Sequence, residues 1–423
     1  MNQQQPGRLA RRLTTHDAVV IGVGAMLGAG LFAAPGPAAA AAGSWLLVGL
    51  VLAAVVAYTN ATSSAQLAAL SPQAGGTHVY ARERLGDHWG FLAGWSFVVG
   101  KTASLAAMAL TFGAYISEDL ARPLGVGAVV VLAVVNYRGV ERTVQLTRVL
   151  LAVILGALVV VVTASIGGGS AGLENLTSTA PGGVWGVLQS GGLLFFAFAG
   201  YARLATLGEE VTNPKVTIPR AIPIALGIVV VVYALVFTSV LVAVGPQTLA
   251  DAAAPLVAAV EAGRFAALAP FVQVGAAVAA AGVLLSLLAG VSRTTLSMAR
   301  RRELPGVLDA VHPVHRTPHR AEAAAAVVVC AVVLIADLRG AIGFSSFAVL
   351  TYYALTNAAA WKLTAAERRW PRWLAGLGFG MCVLLAVTLP ALSVIGGLAV
   401  LAVGLGIWFV TRRFVTRRYV GPD

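Results

Sequence analysis

The 423-residue chain is 58% hydrophobic and 11% charged, with a mean hydropathy of +0.85. A soluble protein carries about 25% charged residues, so this composition excludes an ordinary water-solvated domain. The net charge of +12 suggests a polyanionic partner, but the basic residues gather in alternate loops between apolar runs. That is the positive-inside pattern of a membrane protein, and it needs no nucleic acid.

Apolar runs of roughly 18 or more residues read as spans. Twelve are predicted, near 17–40, 44–70, 89–116, 122–137, 143–166, 184–208, 218–244, 265–299, 321–337, 343–362, 373–390 and 391–411. The expected division is a tail over 1–16, a ten-helix core over 17–362, two further helices over 363–411 and a tail over 412–423. Most of the 29 Lys and Arg then face inward, with both termini in the cytoplasm and the chain in the cell membrane. RLARRLTTHD followed by an apolar run imitates an export signal, but the run is too long and eleven spans follow it.

The first span contains IGVGAMLGAGLFAAPG (21–36). Glycine costs about 1 kcal/mol against Ala in a helix interior, so Gly28-Ala29-Gly30 predicts an unwound point at mid-membrane. Freed peptide groups there are tolerable only against protein, water or a ligand. The half-helix after the break starts with unpaired N–H groups and a positive dipole end, which suits a carboxylate. Gly24 and Gly28 also form a GxxxG helix-packing contact, and this segment alone does not separate the two readings.

Lys101 stands near the middle of the third span, where burying a lysine costs about 2.5–3.5 kcal/mol. One reading makes its ammonium a coupling group that titrates during transport; the other is snorkelling or a fixed ion pair. The outward loop 245–264 is amphipathic and predicts a short helix over the outer mouth. In the sixth span, FFAFAGYA (195–202) predicts a second break, at Ala199-Gly200-Tyr201, whose carbonyls suit a substrate ammonium. Paired broken helices mark transporters with a binding site near the midplane. Spans one to five and six to ten overlay with the interrupted helices first, as an inverted repeat.

Arg203 and Arg293, toward the inner ends of their spans, together with Glu209 and Glu210, form a candidate inner gate. The eighth span offers Ser286 but no Ser/Thr pair to hold a hard cation, so sodium dependence is disfavoured. The inward loop 300–320 holds His312, His315 and His319 without a cysteine, which reads as a solvated loop and not a zinc site. Cys330 and Cys382 fall in different spans and form no disulfide framework. Nothing in the chain calls for a metal or cofactor, and no nucleophile–base pair marks an enzyme.

FFAFAGYARLATLGEEVTNPKVTIPRAI (195–222) resembles the sixth-helix signature of permeases in the amino acid–polyamine–organocation superfamily. SPQAGGTHVYARERLGDHWGFLAGW (71–95), SRTTLSMARRRELP (292–305) and YYALTNAAAWKL (352–363) resemble three further stretches of that family, in order along nearly the whole chain. The resemblance implies an all-α LeuT-like fold of about twelve transmembrane helices, with a five-plus-five inverted repeat and discontinuous helices one and six. It implies that Met26, Gly28, Ala29 and Gly30 hold the substrate carboxylate, and that Phe196 is a gating aromatic. The carbonyls around Phe195, Ala197 and Phe198 would receive the amino group.

Three departures matter. Ala29 replaces the usual Ser, Ala202 stands where relatives carry an acid, and span 143–166 has no lysine. The pocket candidates Met26, Met108, Phe196, Ser286 and Phe347 are mostly apolar, which favours a neutral amino acid. The expected activity is secondary transport of that amino acid, with proton symport favoured over exchange. Polyamine transport and a non-transporting receptor are the alternatives. A channel is disfavoured, since no rings of charge appear. Oligomeric state cannot be read from the chain.

Overall fold

The computed structural model describes residues 13–70, 76–139, 144–177, 180–205 and 211–419; the side chains of residues 144, 203, 205, 215 and 411–419 lie outside that description. Among the described residues the architecture is helical, with an isolated parallel bridge between Leu13 and Val211 and no named strand. Helices fall on all twelve apolar runs. Among the described residues eight helices are long and apolar enough to cross a bilayer.

Helix α1 (Thr15–Met26) opens on a capping box: Thr14 Oγ1 accepts from the Asp17 N–H, and Asp17 accepts from the Thr14 N–H. Asp17 also pairs with Arg148 at 2.6 Å. The first span does not run unbroken. Leu27 (φ −74°, ψ 50°) and Gly28 (φ −104°, ψ −161°) leave helical geometry, and the chain restarts as α2 (Ala29–Ala33) and, after Ala34, α3 (Pro35–Ala42).

Next come α4 (Leu46–Leu70), the short α5 (Thr77–Leu85), α6 (Asp87–Ile116), α7 (Ala121–Tyr137) and α8 (Val144–Gly167). Then follow α9 (Gly183–Phe198), a 3₁₀ turn over Ala199–Tyr201 and α10 (Ala202–Ala205). Helix α11 (Pro214–Asp251) carries Pro219 and Pro223 and is kinked at Gly245. Helix α12 (Pro255–Glu261) is the short element expected in the 245–264 loop. The remaining helices are α13 (Ala269–Arg300), α14 (His319–Ile335), α15 (Leu338–Trp361), α16 (Arg372–Thr388) and α17 (Ala391–Tyr419).

Helices α7, α14 and α16 fall short in length at 17 residues each. Helix α15 is long but polar, and its polar side chains are buried against neighbours. Ser345 receives or donates a 2.6 Å bond with Ser104 of α6. Asn357 donates to Asn60 of α4 at 2.6 Å and accepts from Ser63 at 2.7 Å. Cys382 of α16 joins this knot by donating to Asn60 at 3.2 Å. In a medium without water, such bonds between helices replace the solvent that buried polar groups lose.

Around α1 and α9 the packing is close. Helix α1 lies against α11 and α8, while α9 lies against α4, α3 and α16. The interrupted segments therefore sit inside the bundle, with α6, α11, α13 and α15 around them.

Candidate functional site

The two predicted breaks meet. A Cβ on Gly30 would stand 2.7 Å from Ala197 Cα, and one on Gly200 would stand 2.9 Å from Met26 N and nearer still to Ala25 O. Glycine at 30 and 200 is thus required for the backbones of the two segments to touch. Gly30 packs on the second half of this junction, while Gly24 faces Thr147 of α8 and Gly28 faces Val283 of α13.

The breaks are not equivalent. The first is a true interruption, with Gly28 as an extended N-cap. The N–H of Leu31 bonds Gly28 O at 3.1 Å, and the first N–H groups of α2 carry the orphan donors of a helix start. The second keeps helical dihedrals at Phe198, Ala199 and Ala202 and only tightens to a 3₁₀ turn. The expected unwinding is therefore replaced by overwinding, which frees fewer carbonyls. Small Ala-Gly residues allow either, and close contact with α1 selects the compact one.

Side chains from neighbouring helices take the carbonyls that are freed. Tyr233 of α11, fully buried, reaches Met26 O at 2.6 Å and Ala197 O at 2.9 Å, one on each break. A hydroxyl carries one proton, so it donates to one carbonyl at a time. Lys101 of α6 is buried, and its Nζ donates to Ala199 O at 3.4 Å. Among the described residues no carboxylate lies within ion-pair distance of it. The Lys101 amine thus occupies a carbonyl of the second break. Tyr115 of α6 donates to Phe32 O at 2.8 Å and accepts from the Leu256 N–H at 3.4 Å, which ties the restarted helix to α12.

Phe195 and Phe198 are committed to packing, against Tyr353 (5.8 Å) and Tyr233 (4.9 Å). Phe196 keeps slight exposure, at 6%. Met26, Met108 and Phe347 are buried, while Ser286 is exposed on α13 and leaves the pocket set. Two cavities, of about 610 and 500 Å³, lie elsewhere: between α4, α11 and α16, and between α6, α13, α14 and α15. Neither is lined by the residues of the breaks. The junction is closed in this structure.

The candidate inner gate is only partly within view. Glu209 and Glu210, and the side chain of Arg203, lie outside the described residues. Arg293 interacts electrostatically with the buried Glu322 of α14, while the neighbouring Asn136 donates to Leu285 O at 2.9 Å. A different cluster closes the neighbouring face, where α5 meets the end of α13. Glu303, 6% exposed, pairs with Arg82 and with His78 Nε2 at 3.2 Å, and Arg82 also reaches Asp87 at 3.3 Å. His78 Nε2 lies 3.2 Å from Arg82 Nη2 as well, so it donates to Glu303 or accepts from Arg82, depending on its proton. Burial raises the Glu303 carboxyl, but the His78 bond and the Arg82 charge outweigh this and hold it below the ordinary carboxylate range. Bidentate Arg84–Glu367, at 2.7 and 3.2 Å, adds a second tie.

Buried interrupted helices, a buried lysine in an apolar span and apolar walls mark a multi-pass membrane transporter, with no catalytic constellation among the described residues. The amino acid permease family pattern matches residues 13–414, and the chain belongs to that family. It is 57% identical to an uncharacterized transporter of Mycobacterium tuberculosis over 413 residues, 98% of this chain and 94% of that protein. It is 25% identical to a branched-chain amino acid permease of Bacillus subtilis, covering 96% and 94%. A methylthioribose transporter of Bacillus subtilis is 28% identical, covering 75% and 73%. The protein moves a small molecule across a membrane and is not an enzyme.

Proposed function

We propose that the protein carries a neutral amino acid across the cell membrane by alternating access, with proton symport. In this reading twelve helices cross the bilayer with both termini in the cytoplasm. Residues 17–362 form the five-plus-five core, 363–411 the two added helices, and 1–16 and 412–423 the tails. The observation that carries the reading is the buried contact of the two interrupted segments, bridged by Tyr233. When the junction parts, the N–H groups after Gly28 take the substrate carboxylate beside Met26, Ala29 and Gly30. The carbonyls from Phe195 to Phe198 and at Gly200 take its ammonium, and Phe196 covers it. Lys101 vacates Ala199 O as its proton leaves, which links substrate entry to proton movement.

Apolar walls and the branched-chain permease among the relatives support a substrate such as leucine, isoleucine or valine. Counterflow of labelled leucine, with the other amino acids and methylthioribose as competitors, tests this in proteoliposomes. Exchange driven by an apolar amino acid is expected, accelerated by an inward proton gradient in the wild type and not in Lys101→Ala. No counterflow with any of the twenty amino acids would overturn the substrate class. Unchanged pH dependence in Lys101→Ala would remove the coupling role.

A further inference from the structure

The 610 Å³ groove between α4, α11 and α16 is lined by apolar side chains, from Leu47 to Thr59 on α4, by Val230 and Ala234 on α11, and by Trp373 and Leu377 on α16. Leu47 to Thr59 covers roughly 18 Å at 1.5 Å per residue. One leaflet of a bilayer supplies about half of a roughly 30 Å hydrocarbon core. The groove therefore matches the depth of one acyl chain.

Its Trp373 end is not apolar. Lys362, Arg368, Arg369 and Arg372 crowd the segment between α15 and α16, and the nearby Glu367 carboxylate is engaged by Arg84. Two of these arginines are held in place through Nε: Arg372 donates to Trp361 O at 3.0 Å, and Arg368 to Thr364 O at 3.3 Å. The Arg372 guanidinium also stacks 4.4 Å over the Trp361 ring. Arg372 is exposed and Arg368 half-buried, and two exposed tryptophans, Trp361 and Trp373, flank Arg372. Tryptophan marks headgroup level, and basic pockets between helices there recruit anionic headgroups.

We propose that this groove binds an anionic glycerophospholipid. One acyl chain lies along α4 against α11 and α16, and the phosphate is held by Arg368 and Arg372. The site borders the transport machinery: Val230 and Ala234 face the lipid from α11, and Tyr233 between them faces the junction. The inference rests on membrane embedding alone and not on the substrate.

The test is tryptophan quenching of the full-length protein in nanodiscs. Phosphatidylglycerol or phosphatidylcholine with dibrominated acyl chains is titrated in, and the Trp373 share is isolated by subtracting Trp373→Phe. Phosphatidylglycerol is expected to half-quench Trp373 at a mole fraction about five-fold lower than phosphatidylcholine. The double variant Arg368→Gln/Arg372→Gln should lose that preference, and Arg368→Lys/Arg372→Lys should keep most of it. Equal quenching by both lipids in the wild type, or a preference that survives the Gln variant, would overturn the proposal. If the Gln variant does not fold, competition on the wild type decides: unbrominated phosphatidylglycerol should relieve the quench and phosphatidylcholine should not, and equal relief overturns the site. Uptake plays no part in the readout, so failure here leaves the transport reading standing.

Discussion

Tyr233→Phe tests whether the two breaks are clamped together. The substitution keeps the ring between Phe198 at 4.9 Å and Phe237 at 5.5 Å and removes only the hydroxyl that reaches Met26 O and Ala197 O. Since one phenolic proton serves two carbonyls, one hydrogen bond is lost at any moment. Interhelical bonds in membrane proteins average about 0.6 and reach about 1.7 kcal/mol, and leaving a buried acceptor unpaired costs about 1–3 kcal/mol. The expected loss is about 1–2 kcal/mol. At 1.4 kcal/mol per decade that raises the parted population about 5–30-fold. Ala29 is 0% exposed, so Ala29→Cys, with Cys330 and Cys382 replaced by Ser, reports parting through its alkylation rate by a small thiol reagent. The rate should rise by the same factor when Tyr233→Phe is added. Rates agreeing within about two-fold would refute the clamp.

Gly200→Ala places a methyl against the backbone of Ala25 and Met26, and overpacking of this kind costs about 1–3 kcal/mol. Uptake should fall while the protein still reaches the membrane, and full uptake would contradict the backbone contact. Lys101→Met removes the burial cost of the ammonium, about 2.5–3.5 kcal/mol. It should melt higher than the wild type yet take up substrate without acceleration by a proton gradient; a lower melting point would contradict the burial reading. Glu303→Gln breaks a largely buried pair, which costs up to about 3–5 kcal/mol. Because the folded carboxyl is held below its ordinary value, its stabilisation is present above the unfolded pKa, about 4.3, and is lost as pH falls through the folded one. Melting should separate Glu303→Gln from the wild type at pH 7 and converge as the pH drops below about 4; a constant gap would contradict the pairing.

Much of the fold was legible in the chain. Each of the twelve apolar runs carries a helix, because hydropathy is local and a backbone in lipid has to bond to itself. The first break was legible for the same kind of reason, since glycine weakens a helix wherever it is placed, but it falls at Leu27 and Gly28, one residue earlier than expected, and leaves Ala29 and Gly30 in α2. Lys101 stood out as a charge inside an apolar run. Its partner did not, since Ala199 O is 98 residues away.

By itself, then, the sequence determined what depends on near neighbours: membrane embedding, helix positions, the weak point in span one and the family likeness. Only the tertiary structure decided the rest. It turned the second break into a 3₁₀ turn, because α1 packs against Gly200 and leaves no room for an open strand. It drew Tyr233, Tyr115 and Lys101 onto freed carbonyls, left Ser286 exposed, and set Glu303, His78 and Arg82 together from elements more than 200 residues apart. No spacing rule in one chain encodes such pairs, because they exist only where helices cross, and the crossing is chosen by the packing of the whole bundle.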